Sequence, residues 1–203
     1  MGNTTGSAPD ADSRTRILAS ARTQIEQRGI LGLRVADVAR GANTSITLIY
    51  RYFGDRDGLL AEVLGDIYEE NVVYWENLAR SWQERKAGYA DIIAEMPMPD
   101  DEISRNRRNI RLQILATAVN NRKLSERLAS STQRFHAAVQ RGVELVREHT
   151  GEENPLDPRV YALMLLMFNN MFVSNDMLGE RRIHDDEYRE FLRHFFARYD
   201  AQS

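Results

Sequence analysis

Residues 35–60 read VADVARGANTSITLIYRYFGDRDGLL, and the reading of this stretch decides the fold. Val35, Val38 and Ala39 share one side of a short helix over 35–41, and the spacing predicts a second short helix over 45–52. Together they satisfy the three demands of a helix-turn-helix. Ala39 is small where the second helix crosses the first. Asn43, four residues on, tolerates left-handed backbone better than any residue but glycine. Ile49 is placed for burial under the second helix, whose N-terminus Thr44 or Ser45 can cap. Such a helix leaves Ser45, Ile46, Thr47 and Leu48 free to enter a DNA major groove, with Tyr50, Arg51 and Tyr52 following. A plain corner between two helices meets the same spacing, so the pattern alone leaves both readings open.

Outward from this stretch the periodicity stays helical. Ile17, Leu18, Ala21 and Ile25 predict a helix over 13–28 that Gly29 stops. Leu60, Leu64, Ile67, Asn71, Tyr74, Leu78 and Trp82 form one stripe of a long helix over 56–85. Further helices are expected over 88–96, 103–120, 123–150, 159–178 and 185–199, with a break at Pro97–Pro99 and a kink at Asn120–Asn121. The 159–178 segment is apolar on nearly all sides, and 185–199 carries an unbroken amphipathic stripe. Residues 1–12, rich in Gly, Ser, Thr and Pro, read as a disordered tail. The expected fold is all-α with about nine helices. A helix-turn-helix DNA-binding domain occupies 13–58, and an effector-binding and dimerisation domain occupies 59–203.

Charge supports a special role for the head. Residues 13–56 hold eight arginines against three acidic residues, while the remainder of the 203-residue chain is acidic and the net charge is −3. Arginine is the side chain best shaped for phosphate, so a basic head on an acidic body points to an anionic partner for the head alone. A solvated helix face is the alternative on charge alone. Zero cysteines exclude a disulfide scaffold, an iron–sulfur cluster and a cysteine nucleophile. The longest apolar run, 161–168, is far short of the roughly 20 residues of a membrane span, and no secretory leader opens the chain. A cytoplasmic protein without membrane contact is expected.

The segment from Ile17 to Leu60 resembles the DNA-binding head of the TetR (tetracycline-repressor-like) transcriptional regulators. The features that carry the resemblance are Ile17-Leu18, Ala21, Gly29, Val35-x-x-Val38-Ala39, Ile49-Tyr50-x-Tyr52-Phe53 and Arg56-Asp57-x-Leu59-Leu60. It implies base contacts from Ile46, Thr47 and Leu48, and phosphate contacts from Tyr50, Tyr52 and Arg56, where a helix N-terminus adds its own attraction. Arg34 stands where a capping Thr or Ser is usual, so the cap is lost while a charged side chain becomes available to phosphate. Asn43 replaces the usual glycine, Thr44 the usual valine, and Gln24 a customary core leucine. Independent chemistry agrees: Ile46, Leu48 and the Thr47 methyl suit thymine methyl groups, and Arg51 suits guanine or phosphate. Tyr50 and Tyr52, two residues apart on a helix, cannot both face the core.

The resemblance also implies a small-molecule cavity in the body, and the apolar helices 159–178 and 185–199 predict a homodimer, which matches a palindromic operator. Asn71, Trp75, Leu78, Trp82, Tyr89, Ile93, Leu112, Leu115, Phe135, Val139, Met167 and Asn170 are candidates to line it, although each could equally be core. No obvious charge cluster faces Tyr74, Trp75, Leu78 and Trp82, so a mainly apolar or aromatic effector is expected. The run Arg105–Arg108 with Arg111 is a second candidate anion site, though most such runs are a helix's wet face. Asn169 and Asn170, interrupting an apolar helix, must meet a ligand, a partner subunit or each other's neighbours in the core. Leu165, Phe168, Phe172, Phe191 and Phe195 are the expected centre of a four-helix dimer interface.

An enzyme reading finds no site. His136, His149, His184 and His194 have no metal-ligand spacing, and His149 with Glu152 and Glu153 reads better as a loop than as a metal site. Dinucleotide, Walker and nucleophile-elbow motifs are absent from the sequence, and neither cofactor nor metal is expected. The function expected is a ligand-responsive DNA-binding transcriptional regulator, most simply a repressor. The alternative is a helical binding or adaptor protein with a purely structural helix-turn-helix.

Overall fold

A computed structural model describes residues 8–150 and 157–197. These form nine α-helices and one 3₁₀ helix, with no strand among the described residues: α1 (Ala8–Arg28), α2 (Val35–Gly41), α3 (Ile46–Phe53), α4 (Arg56–Glu84), α5 (Tyr89–Glu95), α6 (Glu102–Asn120), α7 (Arg122–Thr150), α8 (Pro158–Met171), the 3₁₀ helix (Phe172–Arg181) and α9 (Asp185–Ala197).

Two boundaries depart from the sequence reading. Helix α1 begins at Ala8, so the last residues of the expected 1–12 tail are helical; the Asp12 carboxylate pairs with Arg16 one turn on, where an acid also suits the start of a helix. Residues 1–7 lie outside the described residues. The helix expected over 159–178 ends at Met171 and continues as a 3₁₀ turn. Ser174 donates to the Met171 carbonyl at 2.8 Å, a local bond that competes with the helical ladder. Buried Asn175 donates to the Ile183 carbonyl at 2.7 Å and accepts from the Ile183 amide at 2.9 Å. That clamp closes over Gly179 at φ +57, a backbone that L side chains rarely adopt.

The helices divide into two compact units, and the division falls inside α4, between Tyr68 and Glu69. The first unit gathers the described residues up to Tyr68 together with Gln113–Ala129. Three side chains around the α6–α7 break hold the start of α4 and account for this grouping. Buried Asn121 accepts from the Leu124 amide at 3.0 Å, capping α7, and donates to the Asp57 carbonyl at 3.0 Å. Lys123 pairs with Asp55 at 2.8 Å and Arg127 with Asp66 at 2.5 Å. Ile17, Ala21, Val38, Ile49, Leu59 and Leu64 form the core of this unit.

The second unit comprises Glu69–Leu112 and the described residues from Ser130 on. Trp75, Trp82, Ile92, Ile93, Phe135, Val139 and Val143 are buried in it. A charged network ties α4 to α7: Arg134 donates to Glu69 at 2.6 Å and to Glu76 at 2.8 and 2.6 Å, and Ser131 donates to Glu69 at 2.5 Å. The Ser131 hydroxyl first, and Arg134 after it, hold Glu69 below the usual carboxylate range, and Arg134 does the same for Glu76. A carboxyl depressed on folding contributes stability above its unfolded pKa and loses it as pH falls through the folded value. Arg134→Met is therefore expected to flatten the decline of the urea midpoint between about pH 5 and pH 3. The effect is small because these side chains remain part-exposed. An Arg134→Met profile parallel to wild type over that range would remove the network from the acid response.

Candidate nucleic-acid interface and effector cavity

The helix-turn-helix is built from local rules. Helices α1, α2 and α3 pack against one another, with Ala39 and Ile49 buried at the crossing. Asn43 has φ +49, the left-handed conformation the turn requires. Ser45 is the N-cap of α3, its hydroxyl oxygen accepting from the Leu48 amide at 3.1 Å. Arg34 precedes α2 in extended backbone and provides no side-chain cap, as its departure from Ser or Thr implied. The exchange of leucine for Gln24 leaves a mark too: its buried Oε1 has no hydrogen-bond partner among the described residues.

On α3, Ser45, Ile46, Thr47, Tyr50 and Arg51 are exposed, while Leu48 and Tyr52 are half-buried. The two tyrosines divide as their spacing demands, Tyr50 outward and Tyr52 partly inward beside Phe53 at 6.1 Å. The arginines divide more sharply. Arg14 pairs with Glu62, Arg16 with Asp12, Arg22 with Glu26, and both Arg28 and Arg40 with Asp37. Arg34, Arg51 and Arg56 form no ion pair with any described carboxylate, and all three are exposed. Arg56 reaches only the Ile30 carbonyl, at 3.5 Å. The phosphate role expected of the α4 N-terminus needs correction, however. Asp55 already occupies it: its carboxylate accepts from the Gly58 amide at 2.7 Å, and Lys123 first, then that amide, hold its pKa low. Arg56 keeps its charge for a partner, whereas the helix end does not.

The second unit holds a cavity bounded by Asn71, Tyr74, Trp75, Pro97, Ser104, Arg107, Arg108, Arg111 and Asn169. At about 10 Å³ it has room for a single water. Of the residues expected to line a pocket, only Asn71 and Trp75 border this cavity. Trp82, Ile93, Phe135 and Val139 are core; Leu78, Leu112 and Leu115 are half-buried; Tyr89's side chain lies outside the described residues. Met167 is exposed on the outer face of α8, because the inner face is taken by Tyr161, Ala162, Leu165 and Leu166.

The basic run on α6 is no wet face. Arg108 and Arg111 are buried, and Arg107 lies over the Tyr74 ring at 3.8 Å. Asn169 and Asn170 both accept from Arg111, at 2.9 and 2.7 Å, which explains two amides in an apolar helix. The apolar effector expected from sequence would thus face three guanidinium groups.

A separate apolar groove of about 530 Å³ runs between α8, the 3₁₀ helix and α9, lined by Phe168, Met171, Phe172, Leu178, Tyr188 and Phe191 among others. Phe168, Phe191 and Phe195 contact one another edge-on or tilted at 5.2–6.1 Å. Leu165 is turned into the chain's own core and leaves the exposed cluster.

Among the described residues no three or more His, Asp or Glu side chains gather as a metal site, and no helix is long and apolar enough to cross a membrane. Of the His149, Glu152 and Glu153 group, the two glutamates and the His149 side chain lie outside the described residues. The His184–Glu187 run opens α9, with Glu187 accepting from the His184 amide at 2.9 Å.

Comparison with known proteins places these features. The family model for bacterial regulatory proteins of the tetR family matches residues 17–63. The HTH-type transcriptional regulator BetI of Paraburkholderia xenovorans (strain LB400) is 31% identical over 78 residues, 38% of this chain and 37% of its own length. BetI of Paraburkholderia phymatum is 35% identical over 57 residues, 28% of this chain and 29% of its own. The matched part therefore spans 37% and 29% of these two curated relatives. A Rhodococcus sp. crystal structure described as a TetR-family transcriptional regulator is 26% identical, with TM-score 0.57, covering 94% of this chain and all of that one. A Saccharomonospora viridis regulator solved in complex with choline shares the fold at TM-score 0.66 and 21% identity, over 91% of this chain and 95% of its own. From the motif and these matches together, residues 17–63 form a head of the tetR family of bacterial regulatory proteins, and the chain's all-α architecture is similar to that of the solved TetR-family regulator.

Proposed function

We propose that the protein is a DNA-binding transcriptional regulator, a repressor released from a palindromic operator by a small molecule. Residues 13–58 act as the DNA-binding domain, and residues 59–203 bind the effector and dimerise. The observation that carries this reading is the division of the head arginines: those outside ion pairs, Arg34, Arg51 and Arg56, are the ones expected to meet DNA. Ile46, Thr47 and Leu48 stand at the start of α3, where a recognition helix reads base edges, with Ser45 capping it. Tyr50 and Tyr52 add hydroxyls for phosphate.

The exposed apolar groove on α8 and α9 supports a two-fold dimer, since apolar patches of this kind mark interaction surfaces. Phe168, Phe172, Phe191 and Phe195 centre it. Two heads related by a two-fold axis match a palindrome.

The test is a gel shift against DNA flanking the protein's own coding region, over a salt series. Affinity is expected to fall steeply with salt through counterion release. Arg51→Ala and Arg56→Ala should each cost about 1–3 kcal/mol, and for a phosphate contact lower the salt slope by about 1. Tyr50→Phe should weaken all sequences alike, whereas Ile46→Ala should change the preferred sequence. If Arg56→Ala alters neither affinity nor salt slope, the helix-turn-helix is structural and the adaptor reading stands.

A further inference from the structure

We propose that the cavity between α4, α6 and α8 is a carboxylate site, and that its ligand is a small organic acid carrying a flat apolar group. The inference rests on the reading of the second unit as the effector-binding part, and names the chemical class of the effector. Its starting point is Arg108. This side chain is 1% exposed, and its Nε and Nη1 have no hydrogen-bond partner among the described residues. Its one hydrogen bond among the described residues is a long one, Nη2 to the Pro99 carbonyl at 3.5 Å, and its Cζ lies 5.6 Å from the centre of the Phe172 ring.

A buried guanidinium is expensive unless paired, and one with unused donors more so. Desolvation accordingly pulls the Arg108 pKa down from its ordinary value, against the weaker pull of Asp176. Arginine nevertheless stays protonated, so the charge persists and awaits a counterion. The walls do not supply one: none of the nine lining residues is a carboxylate, and three are arginines. Arg111 is oriented by the amide oxygens of Asn169 and Asn170.

The other walls define the rest of the ligand. Tyr74, Trp75 and Pro97 are flat and largely apolar. Asn71 Oδ1 is also buried without a partner among the described residues, an acceptor open to a ligand hydroxyl. The cavity has room for about one water, so binding requires the side chains around it to part. Release of the electrostatic strain at Arg108 is the driving force. A quaternary ammonium cation would be repelled by the same three charges.

Titration calorimetry on the free protein tests this with benzoate, benzamide, inorganic phosphate and benzyltrimethylammonium. Benzoate is expected to bind, with benzamide and the cation at least tenfold weaker. Arg108→Met, which swaps the unpaired charge for an apolar side chain of similar length, should lose benzoate binding by tenfold or more. Arg107→Gln, at a part-exposed position, gives the same readout should Arg108→Met fail to fold by circular dichroism. Arg105→Gln, outside the cavity, should bind as wild type does. Equal binding of benzoate and benzamide, binding of phosphate alone, retained binding in both cavity variants, or no binding at all would each overturn the proposal. No DNA enters the experiment, so its failure is distinct from failure of the operator reading.

Discussion

Trp82→Ala is expected to lower the free energy of unfolding by about 3–5 kcal/mol, a large part of the roughly 5–15 kcal/mol that holds a domain together. The indole is 1% exposed. It packs against backbone as well as side chains: a Cβ added at Gly142 would lie 2.9 Å from its Cζ3. Facing glycine on a long helix, the site has no side chain that could swing in to fill the void, so the cavity term persists. The ring also donates from Nε1 to Glu95 at 2.8 Å, and Glu95 takes a 2.6 Å bond from Arg85. Trp82→Phe separates the two contributions. It keeps most of the packing and forfeits only the bond to a charged acceptor, about 1.5–3 kcal/mol. Urea unfolding followed by circular dichroism measures both, and an alanine variant within about 1 kcal/mol of wild type would place the ring outside the core.

The second large effect is on assembly. Phe191→Asp is expected to convert a dimer into a monomer at micromolar concentration by sedimentation. Phe191 is 39% exposed and Phe168 36%, so a charge there costs the isolated chain little, whereas buried between two copies it would be unpaired. Losing the link between two heads should then weaken binding to a full palindrome by about 10²–10⁴-fold, while a single half-site is bound as before. A wild-type protein that sediments as a monomer, or a Phe191→Asp variant that remains dimeric, would put the interface elsewhere.

The head is legible in the sequence because its determinants are local. Ala39, Asn43, Ser45 and Ile49 act on neighbours within ten residues, and each does in the structure what its residue type allows. What escapes is non-local. The 3₁₀ turn after Met171 depends on Asn175 gripping Ile183 across a reversal of the chain, which no periodicity records. Asp55 closing the α4 N-terminus needs Lys123, far along the sequence, to complete its environment.

The arginine cavity escapes for a different reason: a run of charge on a helix reads as solvent-facing by default. A signal is present all the same. Arg108, Arg111, Leu112 and Leu115 fall at i, i+3, i+4 and i+7, so two of the arginines share the stripe of the apolar residues and must go inside with them. The apolar pocket candidates, by contrast, rest on residue type, and type cannot separate lining from core. Nor can it say which side of α8 is covered, and Met167 and Leu165 exchange the places expected of them.

The chain's two tryptophans, Trp75 and Trp82, both fall in the second unit, and the helix-turn-helix has none. Indole emission from the native protein is therefore an optical channel for one unit only, while the helix-turn-helix is dark under the same excitation. Within that channel the two rings are unequal: Trp75 borders the arginine cavity, and Trp82 is sealed against Gly142. Trp82→Phe consequently leaves a single fluorophore beside the cavity, already in place without any label, and the cysteine-free sequence lets a second dye be attached at one chosen position on α3. Events at the cavity and at α3 then become two colours recorded from the same cuvette.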